Sequence, residues 1–363
     1  LIATTEARAT TEARPSVEQG VDLVFVDEGQ ISRPPSAVER GVDRGFRAMT
    51  LAFAWASAAL VVYIVWDIAE VAAPAIREYG AGFLTDTTWD SPRHQFGILP
   101  AIFGTLYSSV LGLLIGALLG LAIAIFLAEG FLCSAIDGII HSLGLSGVPF
   151  WARLPDRIQD ALRFTIELLA AIPSVVYGLW GIFVVIPMIR PTADWLHGHL
   201  GWIPIFGTAL SGPGMLPAAI VLAIMVLPTI SAISRDALVG VPPKLREAAF
   251  GLGATRWEVI LAVIVPTAAT GIFGAIILGF GRALGETMAL AMLAGNANTI
   301  SWSVFSPANT LAALLANHFP EAGKVEVGAL MYAALVLLGI TLLVNVIGTW
   351  ILARANAGLK GLR

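Results

Sequence analysis

Residues 241–287 read VPPKLREAAFGLGATRWEVILAVIVPTAATGIFGAIILGFGRALGET, and the order of polar and apolar runs in this stretch decides the fold. No ionisable side chain occurs from Val259 to Gly281. About 20 apolar residues, rising about 1.5 Å each, cross about 30 Å of hydrocarbon. A membrane span over roughly Leu261–Leu284 is therefore predicted. A polar, helix-punctuated loop precedes it, and Arg282 and Glu286 lie at its far end.

The rest of the chain reads the same way. Of its 363 residues 57% are hydrophobic and 13% charged, against about 25% charged in an ordinary soluble domain. Neither a water-soluble globule nor a disordered chain keeps so much apolar surface dispersed. A net charge of −4 gives no footing for nucleic acid. The single cysteine, Cys133, excludes an internal disulfide and a cysteine-built metal site. Further spans are predicted at Ala48–Trp66, within Ile98–Ala128, at Leu168–Ile189, within Leu216–Ser234 and at Val327–Ala353. The expected fold class is an all-α membrane protein with six transmembrane helices. Gly112, Gly116 and Gly120 recur every fourth residue, a small-residue stripe that lets another helix approach closely.

Lys and Arg set the expected orientation. Arg33, Arg40, Arg44 and Arg47 precede span one, and Arg153, Arg157 and Arg163 lie between spans two and three. Arg235, Lys244, Arg246 and Arg256 lie between spans four and five, and Arg354, Lys360 and Arg363 follow span six. The remaining loops hold only Arg77, Arg93, Arg190 and Lys324. The bias places both termini of a multi-pass membrane protein in the cytoplasm. Residues 1–45 read as a low-complexity cytoplasmic tail, with the near-repeat Thr4–Ala9 and Thr10–Arg14, and hold no signal-peptide-like apolar run. Residues 46–355 form the transmembrane domain and 356–363 a second cytoplasmic tail. An extra loop over 129–162 is moderately apolar and suits a helix on the membrane surface. Residues 67–95 and 295–326 read as the longer exposed segments of the outer side, with Trp89 and Trp302 suited to the interface.

The loop 241–266 opens on Pro242-Pro243, which pre-set a helical first turn. Lys244–Phe250 reads as a short helix ended by Gly251 and Gly253. Thr255 and Glu258 form a capping-box pattern for a second short helix through Leu261. The pair Ala248-Ala249 permits close approach, Gly253 permits a bend, and Glu247 offers a carboxylate to a basic partner.

Arg282 lies sixteen residues beyond Pro266, about 24 Å along a helix axis, at or somewhat past the bilayer midplane. A charge there costs at least about 2.5 kcal/mol unless it faces protein or water. Four residues separate Arg282 from Glu286, so one helix face and partial mutual neutralisation are expected. The pair suits either a structural ion pair or a substrate path. In the second reading a guanidinium fork binds a tetrahedral oxyanion. Glu286 then moderates the binding, and it could accept a proton from a monoprotonated anion such as phosphate, which sulfate cannot provide.

Several segments together resemble a known family. Glu247-Ala248-Ala249, Gly253, Val263, Val265 and Pro266 match the spacing of the EAA loop of ABC-importer permeases, with valine at the two branched positions. Gly279-Phe280-Gly281 and Arg282-Ala283-Leu284-Gly285-Glu286-Thr287 resemble the RALGET segment of phosphate-importer permeases. Residues 167–181 (ELLAAIPSVVYGLWG) look like that family's third span, and residues 96–106 like the opening of its core. The chain looks closer to the C-type than to the A-type permeases of bacterial Pst systems. The resemblance implies a MetI-like core of type I ABC importers. It also implies a permease that imports inorganic phosphate, received from an extracytoplasmic phosphate-binding protein. Its implied partners are an A-type sister permease and a dimer of ATP-binding subunits. Glu247, Ala248, Ala249, Gly253 and Pro266 would serve ATPase coupling, and Arg282, Glu286 and Thr287 the substrate path.

The chain is not expected to be an enzyme. None of Lys244, Lys324 and Lys360 stands in a phosphate-binding G-x4-G-K-[ST] loop, so ATP and Mg are expected on the partner ATPase and no cofactor on this chain. His197-Gly198-His199 lacks further ligands for a metal and reads as a solvated loop. The alternatives are a permease for another oxyanion, sulfate or molybdate, and an ion-coupled secondary transporter, against which the EAA loop speaks.

Overall fold

The computed structural model describes residues 36–142 and 154–360. In chain order the helices are α1 (Ala37–Tyr79), α2 (Gly82–Thr85), α3 (Leu99–Ala128), α4 (Phe131–Ser142), α5 (Leu154–Leu169) and α6 (Ser174–Leu200). They continue as α7 (Met215–Val239), α8 (Pro243–Gly251), α9 (Arg256–Leu284), α10 (Met288–Leu293), α11 (Leu311–His318) and α12 (Lys324–Lys360). A small antiparallel hairpin, β1 (Trp89–Asp90) and β2 (Gln95–Phe96), lies between α2 and α3. Among the described residues, α1, α3, α6, α7, α9 and α12 are the six helices long and apolar enough to cross a membrane. The chain divides into two units at Val61, and α1 begins in the first and ends in the second. The near-repeat Thr4–Arg14, residues 143–153 of the extra loop and residues 361–363 lie outside the described residues.

Span one begins earlier than hydropathy predicts. Ser36 Oγ accepts from the Glu39 amide at 3.2 Å while Glu39 Oε2 accepts from the Ser36 amide at 2.6 Å. This capping box starts α1 eleven residues ahead of Ala48, so residues 37–45 of the expected tail are helical.

The centre of the second unit is α7, packed between α3 and α9. Two-thirds of its most apolar stretch is buried within the chain. The glycine stripe of α3 faces it. A Cβ on Gly112 would lie 2.9 Å from Leu222 Cδ2, on Gly116 2.6 Å from Val226 Cγ2, and on Gly120 3.0 Å from Ile230 Cγ2. Hydrogens in these positions let the two backbones close up, so dispersion contacts replace the hydrophobic drive that lipid does not supply.

Span three differs from its expected place. The run Leu168–Ile189 is broken at residues 170–173, and the membrane-length helix is α6, Ser174–Leu200. Pro173 has no amide proton, and its ring disfavours helical backbone at Ile172, so α5 stops and α6 begins after the proline. Tyr177 spans the break by donating its hydroxyl to Leu169 O at 2.8 Å.

The segment 295–326 was expected to be exposed; residues 295–302 and 315–326 are exposed or half-buried, but the middle, 303–314, runs back into the core. Phe305, Leu311, Ala313 and Leu314 are buried, as are Ser303, Asn309 and Thr310. Its polar groups are matched internally: Val304 O accepts from the Leu216 amide at 2.7 Å, and Thr105 Oγ1 accepts from the Leu311 amide at 2.8 Å. Such pairing is what makes irregular backbone tolerable away from water. Residues 67–95 are likewise only partly exposed. Phe83 is buried and stacks on Tyr332 of α12 with ring centroids 4.5 Å apart, and Trp89 donates its indole N–H to Glu326 Oε1 at 3.2 Å.

Candidate functional site

The residues singled out by sequence collect at the two ends of α9. Arg282 lies twenty-six positions beyond Arg256, about 39 Å along the helix axis.

At the first end stands α8 with the turn that follows it. Gly253 adopts φ +83°, a left-handed conformation that a side chain resists. The Gly253 amide donates to Phe250 O at 2.9 Å and the Ala254 amide to Ala249 O at 3.2 Å, the two bonds of a Schellman cap. Thr255 and Glu258 then form the expected capping box, with Glu258 Oε2 2.7 Å from the Thr255 amide. The second short helix expected here is not separate. It is the first turn of α9, which continues to Leu284 through a π-helical stretch at Val259–Ile264. That wide turn lies immediately ahead of Pro266, whose ring crowds the preceding carbonyls of a regular α-helix.

The motif residues take different stations. Ala249 turns inward against Val241, Val259 and Ile264. Glu247 and Ala248 are exposed beside Leu245, Phe250 and Trp257, and Leu252 at the tip is 90% exposed. An uncovered apolar surface rimmed by charge marks an interaction face. Pro266 stands apart from it, ten residues inside α9.

At the other end, α9 stops at Leu284 and Gly285 caps it. Arg282 is in the last turn and exposed, whereas Glu286 has left the helix. The expected Arg282–Glu286 pair on one helix face is therefore absent. Glu286 Oε1 accepts from the Ala289 amide at 3.4 Å, over the start of α10, and Thr287 Oγ1 donates to Gly285 O at 3.2 Å. Among the described residues no carboxylate pairs with Arg282. Tyr177 of the third-span segment packs with Ala289, Leu290 and Leu293 of α10, the helix that follows the RALGET segment. Glycines make that meeting close. A Cβ on Gly178 would lie 2.6 Å from Met292 Sδ, and one on Gly181 2.6 Å from Leu293 Cδ1. A largely apolar groove of about 540 Å³ opens beside Gly285 and Thr287, walled by Ile68, Ala312, Leu315, Met331 and Leu337.

The two histidines near the end of α6 serve separate backbone oxygens. His197 Nδ1 lies 2.8 Å from Phe206 O and His199 Nδ1 2.8 Å from Trp195 O. Among the described residues no cluster of His, Cys, Asp and Glu could hold a metal ion.

Residues 144–360 match the family described as binding-protein-dependent transport system inner membrane component. A phosphate transport system permease protein PstC of Haemophilus influenzae is 36% identical over 307 residues, covering 83% of this chain and 90% of that one. The PstC of Mesorhizobium japonicum is 37% identical over 78% of this chain and 81% of its own length. PstC 2 of Mycobacterium tuberculosis is 33% identical over 88% and 94%. This chain belongs to the PstC family of transport permeases. It is thus an integral inner-membrane component of a multi-subunit transporter. Its fold is that of ABC-importer permeases. A chain from a solved bacterial alginate ABC transporter superposes with a TM-score of 0.54 at 16% identity, covering 84% of this chain and 94% of that one.

Sequence reasoning missed one set of residues at the first end. Arg246 and Arg256 both reach Glu129, at the close of α3, from opposite sides of Gly253. Their positive charges had been read only as orientation signals.

Proposed function

We infer that this permease subunit carries inorganic phosphate through the membrane, in an importer whose ATP hydrolysis occurs on separate subunits. Kinship with PstC proteins supports the substrate, and the station of Arg282 supports the path. Arg282 is an exposed guanidinium with no carboxylate partner among the described residues, at the end of a long apolar helix. Its fixed charge and planar donors suit a tetrahedral oxyanion. Thr287 adds a hydroxyl five residues on, and Tyr177 packs with α10 just beyond it. Glu286 serves first as a cap for α10, and its second oxygen remains to meet a protonated anion.

At the opposite end Glu247, Ala248 and the exposed Leu252 form the face offered to an ATP-binding subunit, with Ala249 and Gly253 holding its shape. Pro266 sets the wide turn through which α9 leaves that face. Closure of an ATPase dimer around ATP and Mg displaces α8, and α9 carries the displacement to Arg282. An A-type sister permease completes the path, and an extracytoplasmic phosphate-binding protein delivers substrate to the hairpin end. The Lys and Arg bias places α8 and both termini in the cytoplasm.

The observation that carries this reading is the unpaired Arg282. The test is phosphate uptake by the complex in proteoliposomes, with sulfate and molybdate as competitors. Wild-type uptake resisting both competitors is expected, as is loss of uptake in assembled Arg282→Lys complexes. Equal competition by sulfate, or undiminished uptake in the variant, overturns it.

A further inference from the structure

We propose that Glu129 is a positioning residue for the coupling platform, its carboxylate holding Arg246 of one arm of the loop at the end of α3 while its backbone carbonyl takes Arg256 of the other. Arg246 lies on α8, before the Gly253 turn, and Arg256 on α9, after it. Arg246 Nη1 donates to Glu129 Oε1 at 2.8 Å, and its Nη2 donates to Leu238 O at 3.0 Å. Arg256 donates to the Glu129 carbonyl, and its Nη1 lies 3.2 Å from Ser134 Oγ. Its guanidinium also covers the Phe131 ring at 4.2 Å, and that ring stacks on Trp257 with centroids 5.4 Å apart.

Three facts make this more than a surface ion pair. The Glu129 side chain is 10% exposed and that of Arg246 24%, so water screens the contact weakly. Arg246 joins the ends of α3 and α7 at once, and these helices are already locked by the glycine stripe. The two arginines flank the left-handed turn, so a load on Leu252 at its tip meets one anchor on each side. A displacement of α8 therefore reaches α3 and α7 as a rigid movement, and is not dissipated by swinging about Gly253.

This inference rests on the functional reading above, and the measurement separates the two. Complexes with Glu129→Gln are assembled in proteoliposomes, and phosphate moved and ATP hydrolysed are both counted. The expected result is normal assembly, retained hydrolysis and at least threefold less phosphate per ATP. Arg246→Gln gives the same ratio, and the double variant is no worse than either single one. A purely structural role lowers transport and hydrolysis together and leaves the ratio unchanged, which overturns the proposal, as does an additive double variant. If Glu129→Gln does not assemble, Glu129→Asp and Arg246→Lys are read instead, and wild-type ratios in both overturn it. Failure of the wild-type complex to move phosphate strikes the functional reading, not this one.

Discussion

Glu286 turns its carboxylate to the Ala289 amide and leaves Arg282, four residues earlier, without an acidic partner among the described residues. Helix α9 ends between them, and the i to i+4 geometry that would have paired them ends with it. The arginine is thereby left with its full charge, and the glutamate is committed to starting α10.

That commitment separates two substitutions. Glu286→Gln keeps an oxygen acceptor for the Ala289 amide, and its thermal stability is expected within about 0.5 kcal/mol of wild type. Glu286→Ala removes the acceptor and costs about 1 kcal/mol, as lost caps do. Equal melting temperatures for the two variants in detergent would sink the capping role.

Along the α3–α7 seam, Gly116→Ala places a methyl 2.6 Å from Val226 Cγ2 and is expected to destabilise by about 1–3 kcal/mol through overpacking. Gly274→Ala on α9 meets nothing within 4 Å and is expected to be neutral or stabilising, since alanine favours helix. Thermal unfolding of the two variants side by side checks the contrast.

At the Gly253 turn, φ +83° makes Gly253→Ala cost about 1–2 kcal/mol of local strain. Gly253→Asn is expected to retain more function, because asparagine tolerates left-handed backbone. Uptake by both variants, normalised to assembled complex, measures this, and alanine outperforming asparagine would contradict it.

Leu252 makes so little contact within the chain that Leu252→Asp is expected to leave the subunit's own melting unchanged. Its association with the ATP-binding subunits is expected to weaken about tenfold, roughly 1.4 kcal/mol. Titration of purified ATPase onto the variant permease reads both quantities' consequences, and unaltered affinity would move the docking face elsewhere.

The physics of local sequence made much of this protein legible in advance. Span four, the glycine stripe and the Thr255–Glu258 box depend on runs, spacings and neighbours within a few residues, and all lie where the residues predict. Span three was misplaced because hydropathy averaged across Pro173, although the proline itself carried the signal for the break. The Ser36–Glu39 box was likewise readable and outweighed the expected Ala48 start. No local signal marked residues 303–314 as largely buried. Their Ser, Asn and Thr side chains look solvent-facing until distant groups take up their bonds, as the Thr208 amide does in donating to Ser303 Oγ at 3.3 Å.

By itself, then, the sequence determined a six-span permease, because apolar length and charge scarcity act residue by residue, and it marked both ends of α9 as sites. Only the tertiary structure decided that Arg282 stands without Glu286, that Tyr177 packs against α10, and that Arg246 and Arg256 converge on Glu129. Each of these depends on where a helix ends and on which distant chain segment fills the space beside it. Such contacts between residues more than a hundred positions apart leave no periodicity for a sequence to show.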